Sequence, residues 1–194
     1  MTEEDKINYK DVDWRRFFTL VEGVGTDLDK HKNRFDKADI FEQALEEYSQ
    51  KKYRWDDEIG YDHFFLPTQE KFEVKSQKHV LYSEKGTPKE RTKEIKLTNT
   101  LGDSSNRIFP RRFDYLMTLD TGSAQSYSVG IVKWEIVNKY VKHTGDGWSV
   151  QIPRSEIIFL CQPSDIKLSQ SSRPIINYSH QKKQMQSDFV KGIL

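Results

Sequence analysis

Residues 61–75 read YDHFFLPTQEKFEVK, and this stretch decides how the rest of the chain is interpreted. At its end, Phe72 and Val74 alternate with Glu73 and Lys75. Alternate residues of a β-strand project from opposite faces, so the pattern predicts a strand that buries Phe72 and Val74. Glu73 and Lys75 would then project together from the other face.

Asp62 gives this stretch a second candidate carboxylate. If the chain folds back so that Asp62 lies beside Glu73, two carboxylates and the Lys75 ammonium converge. Two carboxylates bind a hard divalent cation such as Mg²⁺ through oxygen. A lysine beside the ion can orient or deprotonate a water molecule whose pKa the metal lowers. These residues outline a site for phosphodiester hydrolysis; the alternative is a solvated Glu–Lys pair and an aspartate in a turn.

The spacing of these residues resembles that of a known nuclease superfamily. An aspartate, ten further residues and then acid-x-lysine on a strand is similar to the PD-(D/E)xK superfamily, which has the restriction-endonuclease-like fold. Asp62, Glu73 and Lys75 match the motif. Residues 60–61, Gly-Tyr, stand at the less regular position where the family has proline. The resemblance covers residues 38–141.

The resemblance implies a role for each residue of the motif. Asp62 and Glu73, together with the main-chain carbonyl of Val74, would hold one or two Mg²⁺ ions. Lys75 would position the attacking water. The products would carry 5′-phosphates.

Residues 39–51, DIFEQALEEYSQK, predict an amphipathic helix ahead of the site. Its apolar face consists of Ile40, Phe41, Ala44, Leu45 and Tyr48. Nucleases of the kind that this chain resembles often carry an extra acid on this helix. Glu47 is the first candidate, because it lies in register with Ile40 at the border of the apolar face, and Glu42 is the second. In either case the alternative is a solvated glutamate.

The order of the predicted elements favours an α/β fold with a mixed central β-sheet flanked by helices, as in restriction-endonuclease-like proteins. A short helix over residues 11–22, capped by Asp11 or Asp13, opens the chain. Strands over 113–119 and 129–137 follow the motif. The residues between these two strands are too polar for a crossover helix, which favours an antiparallel hairpin.

Length and composition fit a single domain, residues 1–194, with its core at 38–161 and an N-terminal helical segment and C-terminal tail as appendages. Hydrophobic residues make up only 35% of the chain, but aromatic residues reach 12% and can build a core from few side chains. No apolar run is long enough to span a bilayer. The single cysteine, Cys161, excludes an internal disulfide framework and fits a reducing compartment, so we expect a cytoplasmic protein.

Charge is distributed unevenly along the chain. Residues 1–70 carry 11 Lys and Arg against 18 Asp and Glu, whereas residues 71–194 carry 20 against 12. A basic later part can supply contacts with phosphate groups. The candidates for DNA binding are a lysine just after the motif strand and three arginines before the next strand: Lys78, Arg107, Arg111 and Arg112.

Together these features predict a Mg²⁺-dependent nuclease that hydrolyses phosphodiester bonds, and the resemblance implies an endonuclease that acts on double-stranded DNA. The resemblance further implies a type II restriction endonuclease that acts as a homodimer, with one site for each strand. Two alternatives stay open. One is a non-catalytic module that binds nucleic acid or protein on the same fold. The other is a repair or recombination nuclease that selects DNA by its shape.

Overall fold

The computed structural model describes residues 9–27, 34–58, 61–78, 90–97, 109–122, 127–144 and 147–166. Within these ranges the helices are α1 (Trp14–Asp27), α2 (Arg34–Tyr48) and α3 (Trp134–Tyr140). The strands are β1 (Tyr53–Glu58), β2 (Tyr61–Phe65), β3 (Glu70–Gln77), β4 (Ile95–Leu97), β5 (Tyr115–Asp120), β6 (Ser128–Lys133), β7 (Val141–Thr144), β8 (Gly147–Val150) and β9 (Ile158–Cys161). None of the helices in the described ranges is long and apolar enough to cross a membrane.

The strands form a six-stranded central sheet and a smaller sheet. The central sheet has the order β1-β2-β3-β5-β6-β9. Its neighbouring strands are antiparallel except β3 and β5, which run parallel. The smaller sheet is antiparallel, with the order β4-β8-β7. The protein is therefore mixed α/β, as the order of predicted elements indicates, and β5 and β6 form the expected antiparallel hairpin.

Helices α1 and α2 pack against one face of the central sheet. Phe17 of α1 and Leu45 of α2 are fully buried there with strand residues that include Phe65 and Phe72. The rings of Phe65 and Phe72 lie edge to face, with their centres 6.1 Å apart. Burial of one such side chain stabilises the fold by about 1.5–3 kcal/mol. This first cluster fixes β2 and β3, the strands that carry the candidate site, against the helices.

The smaller sheet and α3 cover part of the opposite face. Leu116 of β5 and Val132 of β6 are buried in a second cluster with Val137 of α3 and Trp148 of β8. Among the described residues, β1 and β3 contribute nothing to this cluster, and β2 contributes the partly buried Tyr61. Where β1, β2 and β3 form this face, its side chains are therefore mainly charged or partly exposed.

Side chains at the end of α2 close the outer edge of the central sheet. The amide N–H of Tyr53 donates a hydrogen bond to Ser49 Oγ at 3.1 Å. The amide N–H of Trp55 donates to Glu46 Oε2 at 3.0 Å. Unpaired edge strands promote pairing with other chains, so these two bonds protect β1.

Both predicted helices are present with shifted bounds. Helix α1 begins at Trp14 because Asp13, rather than Asp11, caps it: Asp13 Oδ1 accepts a hydrogen bond from the Arg16 amide at 3.0 Å. Helix α2 ends at Tyr48, before the residue at position 50 adopts a φ of 54°. That value lies in the left-handed region, which commonly terminates helices.

The predicted strand over residues 129–137 is correct only in its first half. Strand β6 ends at Lys133, and α3 follows directly. The β-branched residues of the segment favour a strand. The second half of the segment instead forms α3, and this helix buries Val137 in the second cluster. Here tertiary packing overrides local preference.

The packing beside β6 gives a first testable prediction. A Cβ atom at Gly130 would lie 2.4 Å from Cγ2 of the buried Ile157. We expect Gly130→Ala to destabilise the fold by about 1–3 kcal/mol, the usual cost of overpacking, measured by urea unfolding. Gly147→Ala is the control, since no described atom lies within 4 Å of the Cβ it would add. Equal unfolding midpoints for the two variants would contradict the prediction.

Candidate active site

The β2–β3 hairpin carries Asp62 to the edge of β3. Its paired residues extend from Phe65 opposite Glu70 to His63 opposite Phe72. Beyond this last pair, the Val74 amide N–H donates to the Asp62 carboxylate, with 2.6 Å between N and Oδ2. A side-chain oxygen thus takes the place of a main-chain acceptor at the point where β2 leaves β3.

Lys75 joins the two carboxylates of the predicted motif. Its Nζ lies 3.8 Å from Asp62 Oδ2 and forms a closer ion pair with Glu73 Oε1. Glu73 is 1% exposed, whereas the side chains of Asp62 and Lys75 are each 22% exposed. The structure therefore brings Asp62, Glu73 and Lys75 together. It buries Glu73 more deeply than strand alternation alone indicates; within the sheet the residue paired with Glu73 is Leu116 of β5.

The charges of these groups depend on one another. Burial raises the pKa of Glu73; the Lys75 ammonium opposes this rise and the charge of Asp62 adds to it. Burial acts to lower the pKa of Lys75, but Glu73 and Asp62 together raise it above its ordinary value. Lys75 is accordingly a cation at neutral pH, shared by two carboxylates.

Glu42, the second candidate for the helix acid, lies in the electrostatic neighbourhood of this cluster. Burial raises the pKa of Glu42 to about 7, Asp62 acts in the same direction, and Lys75 opposes both. The main-chain carbonyl of Glu42 lies 2.9 Å from His63 Nε2, which holds α2 against β2. His63 is fully buried, and this burial lowers its pKa, so the ring is neutral.

Glu47, the first candidate, is exposed, and within the described part of the chain no contact joins it to the cluster. The helix wheel explains the difference. Glu47 lies on the border of the apolar face marked by Ile40. Glu42 lies past the opposite border, marked by Leu45, and Glu46 lies one turn further along the helix and points away from the apolar face; this side of α2 is the one next to β1 and β2.

Three of the four predicted DNA-binding residues lie in the described part of the chain, and all three are exposed. Arg111 forms ion pairs with Asp114 at 3.0 Å and Glu135 at 3.4 Å, and its guanidinium lies over the Trp134 ring. Its charge is therefore largely engaged within the protein. Arg112 and Lys78 are exposed, and Arg107 lies outside the described residues.

Sequence reasoning missed Lys71. It precedes Glu73 by two positions on β3, so it projects from the same face as Glu73 and Lys75. Its ammonium lies 4.7 Å from the centre of the Tyr61 ring. The same period-two alternation that singles out Glu73 and Lys75 could have found it, because residues 71, 73 and 75 form one series.

The oxygen atoms at this site are of the kind that Mg²⁺ binds. Among the described residues, no three His, Cys, Asp or Glu side chains converge closely enough to hold a metal ion. Mg²⁺, however, is usually bound by one or two carboxylates, with waters and substrate phosphates completing its shell. Asp62 and Glu73 supply two carboxylates. The Val74 carbonyl supplies a third oxygen on the side of Asp62, because the N–H and C=O of one strand residue point the same way.

Comparison with known proteins gives no independent assignment. No protein-family model, curated protein or solved structure matches this chain. What the protein does must therefore be inferred from its own residues, and chiefly from Asp62, Glu73 and Lys75.

Glu42 makes a pH dependence testable. At pH values between the pKa of an unfolded glutamate and about 7, the carboxyl group of Glu42 holds its proton more tightly in the folded protein than in the unfolded chain. Its contribution to stability is therefore complete at low pH and is lost as the pH rises through this window. We expect Glu42→Gln to lose less stability than the wild type between about pH 5 and about pH 8, by on the order of 1–2 kcal/mol.

Urea unfolding at the two pH values measures this difference. Glu47→Gln is the matched control, since it removes an exposed carboxylate from the same helix. It should follow the wild type at both pH values. If Glu42→Gln also follows the wild type, the carboxyl group of Glu42 titrates normally and the prediction is wrong.

Proposed function

We propose that this protein is a divalent-metal-dependent endonuclease of the PD-(D/E)xK kind, which hydrolyses phosphodiester bonds of double-stranded DNA and leaves 5′-phosphates. The observation that carries the proposal is the convergence of Asp62, Glu73 and Lys75 where β2 leaves β3. We further propose a type II restriction enzyme acting as a cytoplasmic homodimer, with one site for each DNA strand.

The charge balance of the site supports a bound cation. Asp62 and Glu73 contribute two carboxylates and Glu42 contributes a third that is partly ionised near neutral pH, against the one ammonium of Lys75. Taking a carboxylate as buried as Glu73 out of water costs several kcal/mol. An additional positive charge would offset that cost. Groups with perturbed pKa values gather at functional sites more often than elsewhere.

The residues divide the reaction between them. Asp62, Glu73 and the Val74 carbonyl would hold Mg²⁺, which supplies stabilisation of the growing negative charge and a bound water of lowered pKa. The Lys75 ammonium, kept protonated by its two neighbours, would orient the attacking water and donate hydrogen bonds to the phosphoryl oxygens. Glu42, with a pKa of about 7, is matched to accept a proton near neutral pH.

Incubation with plasmid DNA tests the proposal directly. We expect the purified protein to cut supercoiled plasmid with Mg²⁺ and to leave it intact in EDTA. Discrete bands would indicate sequence recognition, and cleavage of branched substrates alone would indicate a repair or recombination enzyme. Intact plasmid under both conditions, across several DNA sources, would favour a non-catalytic binding module.

Lys75→Gln should lower the cleavage rate about 10²–10³-fold, the usual effect of losing one positioned donor to a developing charge. The glutamine amide can still donate a hydrogen bond to the buried Glu73, so the variant should fold. Circular dichroism and thermal unfolding check this. Lys10→Ala, which removes an exposed lysine that is distant in sequence from the motif, is the control and should cut at the wild-type rate. Equal rates for both variants would exclude Lys75 from the reaction.

Asp62→Asn removes the charge of this residue but keeps an oxygen that can accept the hydrogen bond from Val74. Its side-chain carbonyl can still accept the Val74 N–H, so the β2–β3 junction should persist. We expect the variant to lose cleavage and at least about tenfold in affinity for Mn²⁺, measured by calorimetry. Unchanged Mn²⁺ affinity would show that the metal binds elsewhere.

A further inference from the structure

A row of side chains crosses three strands beside the candidate site. Arg54 of β1 pairs with Phe64 of β2, and Phe64 pairs with Lys71 of β3. Directly paired residues of antiparallel strands project from the same face. Lys71 also shares its face with Glu73, two residues further along β3, which places their Cα atoms about 7 Å apart. The row therefore lies on the face that carries Glu73 and Lys75, outside the second cluster.

Aromatic rings hold both cations of this row in place. The Arg54 guanidinium lies 5.4 Å from the centre of the Phe64 ring, and the Lys71 ammonium lies 4.7 Å from the centre of the Tyr61 ring. Tyr61 directly precedes Asp62 in the chain. A ring beneath a cation restricts its position but leaves its other N–H groups free to donate. Less conformational freedom then has to be lost when an anion binds.

Among the described residues, Lys71 differs from the other cations near the site because no carboxylate there pairs with it. Lys75 is shared by Asp62 and Glu73, and Arg54 pairs with Asp56 at 3.2 Å. Within the described part of the chain, no carboxylate forms an ion pair with Lys71. Its side chain is only half-buried. The charge of Lys71 is therefore available to an external anion.

We propose that Lys71 binds a backbone phosphate of the nucleic acid next to the phosphate that is cut. The inference rests on the proposed function, because the substrate is taken to be a polynucleotide. The distance from Lys71 to Glu73 along β3 is of the order of one nucleotide step. A phosphate over Lys71 would thus place its neighbour near the carboxylates. Contacts of this kind position the substrate without reading its sequence.

DNA binding without cleavage tests this proposal. Fluorescence anisotropy of a labelled duplex in EDTA, at several salt concentrations, gives both the affinity and its salt dependence. We expect Lys71→Met, which keeps most of the apolar stem over Tyr61, to weaken binding about five- to tenfold and to reduce the salt slope by about 0.9. The loss should be the same for unrelated DNA sequences. Lys71→Arg should restore most of the affinity.

Controls separate this proposal from its alternatives. Lys10→Ala removes an exposed lysine far from the row in sequence and should bind DNA like the wild type. Inorganic phosphate, added as a competitor at constant ionic strength, should not displace the duplex at concentrations near those of the protein. Displacement from the wild type that is lost in Lys71→Met would identify Lys71 as a site for free phosphate and overturn the proposal.

The outcome also distinguishes this inference from the proposed function. Wild-type affinity and salt slope in Lys71→Met would overturn the inference, whether or not the protein cuts DNA. Binding that depends on Lys71 in a protein that never cuts would support the inference and overturn the nuclease proposal. A wild type that neither binds nor cuts would overturn both.

Discussion

The site depends on the hydrogen bond from the Val74 amide to the Asp62 carboxylate. Where β2 leaves β3, the Val74 N–H loses its main-chain partner, and a buried amide without an acceptor is costly. Asp62 satisfies that amide. The same oxygen also lies 3.8 Å from Lys75 Nζ. A single carboxylate therefore lies where the pairing of the two strands ends and, together with Glu73, contributes to the charge environment of Lys75.

Neighbouring strands explain why the cluster can be both buried and charged. Glu73 lies on β3, which pairs with β5 on one side, and on the other side β2 leaves β3 near Asp62. Glu73 is nearly inaccessible, while Asp62 and Lys75 keep about a fifth of their surface in solvent. Such an arrangement concentrates electrostatic interactions, because charges interact more strongly away from water. It also leaves the charged edge reachable from outside.

The sequence could predict those parts of the site that follow from local periodicity. Alternation placed Glu73 and Lys75 on one face, and the short hairpin returned Asp62 to them. Local sequence could not decide whether Glu47 or Glu42 approaches the site. Both flank the apolar face of α2, and only the packing of that helix against β1 and β2 decides which one approaches the site.

Other features of the fold were also beyond local reasoning. The residues of α3 have the composition of a strand, yet the second cluster has room for a helical turn that buries Val137. Arg111 is a plausible phosphate ligand by sequence. Asp114 lies only three positions further along the chain, but Glu135 becomes a partner only when the residues before β5 and the start of α3 come together. Long-range contacts determined each of these outcomes.

The two bonds from α2 to β1 bear on how copies of the chain can associate. A second molecule aligning a strand along β1 would find the Tyr53 and Trp55 donors already occupied by Ser49 and Glu46. Continuous sheet formation across that border would first require the helix end to detach. A two-fold assembly of this protein should therefore be built from side-chain surfaces or from another strand, and the border at β1 should resist fibre-like growth.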